Sequence, residues 1–236
     1  MANIIITGAS SGIGFEAVLD LTAKKENNVI ALARSADKLR KLHEISSSLN
    51  PDGGKLYPAQ FDIVYDNYPD ALLPFVRSKF ESVDILVNNA GILVNKPFLE
   101  TSLEEFAQVF QTNFLGHVSM IRHIAPLMSN GGHIVNIGSM GGFQGSSKFP
   151  GLSAYSSSKG ALATLTECLA EEFKPLNIKV NCLALGSSQT EMFETAFPGI
   201  EAGTLAFEMG RYVADFAQNG HKYYNGKVLP VANTTP

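Results

Sequence analysis

The 236 residues contain no long run of Lys and Arg, and the formal charge is -4. Nucleic acids are held mostly by clustered basic side chains, so small molecules are the expected partners instead. No apolar stretch reaches eighteen residues, and no membrane partner is expected. Asn3-Ile4-Ile5-Ile6 runs straight into a glycine turn, without the charged and apolar regions of a secretory leader; a cytoplasmic location is expected. Cysteine is scarce. Cys168 and Cys182 lie in apolar segments without CxxC spacing, so buried reduced thiols are expected, with a disulfide left open. The five histidines show no metal-ligand spacing, and no metal is expected. His117, four residues after Asn113, is expected to be packed or solvated rather than a ligand. No linker, repeat or low-complexity tract divides the chain, so residues 1–236 are read as one domain.

Strand and helix patterns alternate. Short apolar runs at 3–7, 28–33, 55–61, 83–87, 133–138, 180–184 and 227–231 predict strands. Helical periodicity is predicted from Phe15 through Leu21, then over 37–49 and 68–80. It resumes from a capping box at Ser102 and Glu105 to about Met128, over 154–173, and over 202–218. This order predicts an α/β fold, one doubly wound parallel sheet flanked by helices.

The turn TGASSGIG joins the first strand to the first helix. Its Gly8, Gly12 and Gly14 let the backbone turn tightly and let a phosphate reach amides at a helix N-terminus. The spacing differs from GxGxxG, and no Lys-Ser/Thr pair follows, which argues against a P-loop. Arg34 ends the second strand, twenty residues beyond Gly14, where a dinucleotide fold meets the adenosine ribose. An acid there would accept from a free 2'-hydroxyl. Arg34, with Ser35 as a second donor, suits a 2'-phosphate, which favours NADP over NAD; a solvated Arg opening the next helix is the alternative. The run NNAG at 88–91 puts polar amides and glycine at a strand's C-terminal end, where open α/β sheets bind ligands.

Tyr155 and Lys159 are four apart on a predicted helix and share a face, with Ser139 delivered by the preceding strand. At about 4 Å and an effective dielectric near 20, a cation attracts a phenolate by roughly 4 kcal/mol, about three pKa units, which would bring Tyr155 towards about 7. An ordinary helical neighbour pair is the alternative.

Taken together, TGASSGIG, NNAG, Asn113, Ser139 and YSSSK resemble the classical short-chain dehydrogenase/reductase family over nearly the whole chain. The resemblance implies a Rossmann-type sheet of seven strands in the order 3-2-1-4-5-6-7 and a nicotinamide cofactor across the strand ends. It implies Tyr155 as general acid/base, Ser139 bonding the substrate oxygen, Lys159 holding the nicotinamide ribose and lowering the tyrosine pKa, and Asn113 holding a relay water. Cofactor contacts are implied at Gly8, Ser10, Ser11, Gly12, Ile13 and Gly14, at Arg34 and Ser35, and at Asp62 and Ile63. Asn89, Ala90, Gly91, Gly186 and Thr190 complete that set, with Tyr155 and Lys159. The resemblance also implies a homo-tetramer or dimer joined through the helices of Asn113 and Tyr155.

Three features depart from the family pattern. Ser139 and Tyr155 are about three residues further apart than usual, which enlarges the loop 141–153. Leu185-Gly186 replaces the usual Pro-Gly, and the stretch from Thr190 to the last helix is short where many members carry a longer substrate lid; the common Asp-Gly-Gly ending is missing as well. Phe143, Phe149, Met192, Phe193 and Phe197 are placed near the pocket and suggest an apolar or aromatic substrate, with plain packing residues as the alternative. The expected activity is NADP(H)-dependent hydride transfer between nicotinamide and a carbonyl or secondary alcohol. An NAD-dependent alcohol dehydrogenase and a non-catalytic NADP(H)-binding sensor or scaffold are the alternatives.

Overall fold

The computed structural model describes residues 2–233. Its first strand, β1 (Ala2–Thr7), carries Ile4, Ile5 and Ile6 fully buried because both faces of the sheet are covered. A strand sends successive side chains to opposite faces. Ile4 and Ile6 accordingly join one core, and Ile5 joins the other.

The first core packs α1 (Gly12–Thr22), α2 (Ala36–Leu49) and α8 (Ala206–Asn219) on the sheet. The second packs α3 (Leu73–Lys79), α5 (Gly116–Ile124) and α6 (Ser153–Glu172). The other strands are β2 (Asn27–Ala33), β3 (Lys55–Gln60), β4 (Val83–Asn88), β5 (Met128–Ser139), β6 (Lys179–Leu185) and β7 (Val228–Val231). All pair in parallel in the order β3-β2-β1-β4-β5-β6-β7, the expected Rossmann-like sheet. Chain direction across the sheet reverses between β1 and β4. Their C-terminal ends open a crevice at this switch point.

Several local expectations need correction. The helix predicted from Ser102 to Met128 is not continuous: α4 (Leu103–Phe110) passes into a π-turn at Gln111–Leu115 before α5, and β5 starts at Met128. The segment beginning at Tyr68 likewise opens with a π-turn, Tyr68–Leu72, before α3. The last helix starts at Ala206 rather than Ala202, and a short α7 (Glu191–Ala196), not anticipated, precedes it. Both cysteines are free, but only Cys182 is buried; Cys168 lies on the exposed side of α6. The capping box is present, with Glu105 N–H donating to Ser102 Oγ at 3.2 Å and Ser102 N–H donating to Glu105 Oε2 at 2.7 Å.

Below the crevice, at the N-terminal ends of β5 and β6, a buried polar knot joins sheet to helices. His133 Nδ1 bonds the Ala217 carbonyl at 2.9 Å, so its Nε2 accepts from Asn181 Nδ2 at 3.0 Å. Asn181 also donates to the Tyr224 carbonyl and accepts from Lys227 N–H. Asn225 accepts from Val180 N–H and donates to the Ala170 carbonyl.

Candidate active site

Two turns meet at the switch point, and Thr7 stitches them together. Its hydroxyl accepts from the N–H groups of Asn89 and Ala90, each at 3.0 Å, while Asn89 Nδ2 donates to the carbonyls of Thr7 and Gly8. The turns are so close that Gly8 has no room for a side chain: its φ is +69°, and a Cβ would lie 2.7 Å from Ala90 Cα. Gly14 meets Asn89 Nδ2 at 2.3 Å in the same sense. Thr7 opens the TGASSGIG turn, but its part in joining the two turns was not read from the sequence.

A cleft of about 400 Å³ runs from this junction along the strand ends. Of the expected cofactor residues it is lined by Gly8, Ser10, Ser11, Gly12 and Ile13, by Arg34 and Ser35, by Asp62 and Ile63, by Asn89, Ala90 and Gly91, and by Thr190. Val64, Tyr65, Gln108, Thr112, Lys38 and Glu191 also line it and were not anticipated. Gly14, Gly186, Tyr155 and Lys159 do not. Gly14 packs into the turn junction, and Gly186 faces Ala232, where a Cβ would approach to 2.9 Å.

The cleft's polar groups suit a phosphorylated dinucleotide. The first-turn amides of α1 have no intrahelical partners, and Ser11 makes no side-chain cap bond there. Asp62 is fixed by its own turn, accepting from Val64 N–H at 2.8 Å. Arg34 is exposed at the edge, and among the described residues its guanidinium makes no ion pair.

Behind Gly91 stands the predicted catalytic group. A Cβ at Gly91 would lie 3.3 Å from Asn113 Oδ1 and 3.7 Å from Lys159 Nζ, so glycine lets both approach the cleft floor. Asn113 is fully buried in the π-turn and is locked by three bonds. Its Oδ1 accepts from Ile92 N–H at 2.8 Å, and its Nδ2 donates to the Ile92 carbonyl and to Ser158 Oγ. Ser158 in turn donates to the Tyr155 carbonyl at 2.7 Å, tying α6 to the π-turn. Ser139 ends β5 and accepts from Gly141 N–H at 3.1 Å.

The electrostatics differ from the helical-pair estimate. Lys159 Nζ donates to the Ile137 carbonyl at 2.7 Å and lies 5.9 Å from the centroid of the Tyr155 ring. Burial pushes the Tyr155 phenol above its usual value, with the Ser139 hydroxyl acting in the opposite direction. The same burial brings Lys159 down to about 8. Desolvation thus outweighs the expected cation effect on Tyr155. His117 is fully buried one turn beyond Asn113, and neither ring nitrogen has a hydrogen-bond partner among the described residues. Burial and the nearby Lys159 charge bring it down to about 3, against the opposing influence of the Ala90 backbone, so it stays neutral.

The aromatic residues expected at the pocket are dispersed. Met192 lines the cleft, while Phe193 and Phe197 pack on each other with centroids 5.1 Å apart. Phe149 is exposed beside Phe98 in a separate apolar hollow. In the enlarged loop, Lys148 Nζ donates to the Phe143 carbonyl and to Ser146. Asn95 braces this region by donating to the Ala196 carbonyl, and Lys96 N–H donates to the Gly151 carbonyl.

A parallel sheet in this order, with a glycine turn opening a crevice at the switch point, is that of a Rossmann-like fold. The family model described as short chain dehydrogenase matches residues 2–201, and the chain belongs to that family. Among relatives, it is 31% identical over 193 residues to a cyclopentanol dehydrogenase of a Comamonas species, covering 80% of this chain and 74% of that one. It is 30% identical over 192 residues to a 3-oxoacyl-[acyl-carrier-protein] reductase of Synechocystis, covering 80% and 75%. A short chain dehydrogenase of Escherichia coli solved in complex with NADPH superposes with a TM-score of 0.84 at 25% identity, covering 97% of this chain and 95% of that one. The protein is an oxidoreductase enzyme of this family.

Proposed function

We propose that the protein transfers hydride between NADP(H) and a small carbonyl compound or secondary alcohol, with Tyr155 as the general acid/base. The observation that carries the cofactor choice is Arg34, an uncommitted guanidinium at the end of β2 where an acid would repel a 2'-phosphate. The E. coli neighbour solved with NADPH supports the same choice.

Ser10, Ser11, Gly12 and Ile13 would hold the pyrophosphate, Arg34 and Ser35 the 2'-phosphate, and Asp62 and Ile63 the adenine. Asn89, Ala90 and Gly91 would hold the ribose side, with Thr190 closing over it. The bound nicotinamide supplies or accepts the hydride.

The chain's own residues handle the proton. Tyr155, kept as a phenol at neutral pH, donates its Oη proton to the oxygen of a carbonyl as hydride arrives. Ser139 bonds that oxygen and fixes its position. Lys159, cationic below about pH 8, stabilises the phenolate left behind and turns from the Ile137 carbonyl to a ribose hydroxyl. The Asn113 side chain is fully committed, and π-turn geometry leaves a main-chain carbonyl without its usual i+4 donor. Water held there would reload Lys159. In the alcohol-oxidising direction the same groups run in reverse.

Titration with NADPH and NADH, followed by cofactor oxidation against a panel of small aldehydes and ketones, tests the reading. Tighter NADPH binding with turnover is expected, and Arg34→Asp shifts preference to NADH. Equal binding of both cofactors that Arg34→Asp leaves unchanged contradicts the NADP assignment.

A further inference from the structure

Lys38 and Glu191 line the cleft from opposite walls and join across it at 2.8 Å. Lys38 lies in the first turn of α2, four residues after Arg34, and its N–H donates to Ser35 Oγ at 3.3 Å. Glu191 opens α7 directly after Thr190, whose methyl would meet a Cβ at Gly12 at 3.1 Å. The pair thus ties the wall that carries Arg34 and Ser35 to the segment resting on the glycine turn. The two side chains are 49% and 68% exposed, and an ion pair so far in water is held weakly and exchanges readily. A phosphate monoester carries more charge than a carboxylate and three strong acceptors, so beside Arg34 it competes well for the same ammonium.

We propose that Lys38 and Glu191 form an exchangeable clasp that sets cofactor discrimination: the 2'-phosphate takes Lys38 from Glu191 and frees α7 from α2. This rests on the NADP reading above. Arg34 and Lys38 then grip the phosphate from either side of the Ser35 N-cap, and Glu191 is the competitor that must be displaced. A cofactor without the 2'-phosphate leaves the clasp closed. Glu191 therefore lowers NADPH affinity while it holds α7 in place.

The test is fluorescence titration of NADPH and NADH on the wild-type protein, Lys38→Met, Glu191→Gln and the double variant. Lys38→Met should weaken NADPH by about tenfold and NADH by less than about twofold. Glu191→Gln should tighten NADPH by about threefold with NADH unchanged, and that gain should shrink in the Lys38→Met background. With 2',5'-ADP and 5'-AMP as probes, the same pattern should appear for the phosphorylated fragment only. If the wild type prefers NADPH and Glu191→Gln leaves the NADPH-to-NADH ratio unaltered, the clasp is overturned while the NADP reading stands. A wild type that prefers NADH sinks the parent reading, and the clasp with it.

Discussion

The two ends of β5 and β6 both bury polar side chains and treat them oppositely. At the N-terminal end, every side-chain polar atom of His133, Asn181 and Asn225 named in the knot has a partner. At the C-terminal end, Lys159 is buried on a single carbonyl, Tyr155 is desolvated, and His117 has no partner for either nitrogen. Fully satisfied polar networks fix one packing, whereas incompletely satisfied buried groups cost stability and are retained where chemistry needs them. On the proposed function, the lower knot serves the fold, and Lys159 and Tyr155 of the upper group serve turnover.

Substitutions can break that division. The largest separation is expected from Ser139→Ala, which should lower kcat by roughly 10²-fold with little change in the urea midpoint, because one substrate-bonding donor is lost. A fall in stability without loss of turnover would move Ser139 to the structural side. His133→Ala should do the converse, costing about 2–4 kcal/mol in urea unfolding by leaving the Ala217 carbonyl and Asn181 amide unpaired, while KM and kcat change little.

Acid sharpens the contrast more gently. Burial holds His133 at about 4 and His117 at about 3, whereas the unfolded chain takes up these protons near 6.5. Unfolding therefore binds protons, and stability falls as pH drops from about 6.5 towards 4, by up to about 1.4 kcal/mol per unit for each histidine. Urea midpoints at pH 7.5 and 5 should show this, with a shallower dependence in His133→Gln. Carbonyl reduction should hold steady near neutral pH and decline above about 8, where Lys159 loses its charge. A rate that rises through pH 8 would exclude that role for Lys159. The smallest effect is a gain: Lys159→Met should raise stability by about 1 kcal/mol while losing turnover, since a desolvated charge is removed.

The strands were legible because each is a short apolar run bounded by turns, and their order came only with the family resemblance that TGASSGIG, NNAG and YSSSK carry. The π-turn at Gln111–Leu115 was not, since one extra residue per turn scarcely disturbs a 3.6-residue pattern. α7 is six residues long, too short for periodicity to register. Cys168 sits among apolar neighbours in sequence, yet the turn of α6 carries it outward. The Tyr155–Lys159 spacing was readable. Its electrostatics were not, because sequence proximity reveals neither desolvation nor that Lys159 reaches the Ile137 carbonyl. Lys38 and Glu191 are 153 residues apart, and only the fold brings them together.

The central claim is that Tyr155 is the proton donor of an NADPH-dependent carbonyl reductase. Tyr155→Phe, which removes only the hydroxyl, tests it most directly when NADPH affinity and NADPH oxidation against a carbonyl panel are measured on the same preparation. The account predicts unchanged affinity and a rate lower by roughly 10²–10⁴-fold. Turnover within about twofold of the wild type would contradict it.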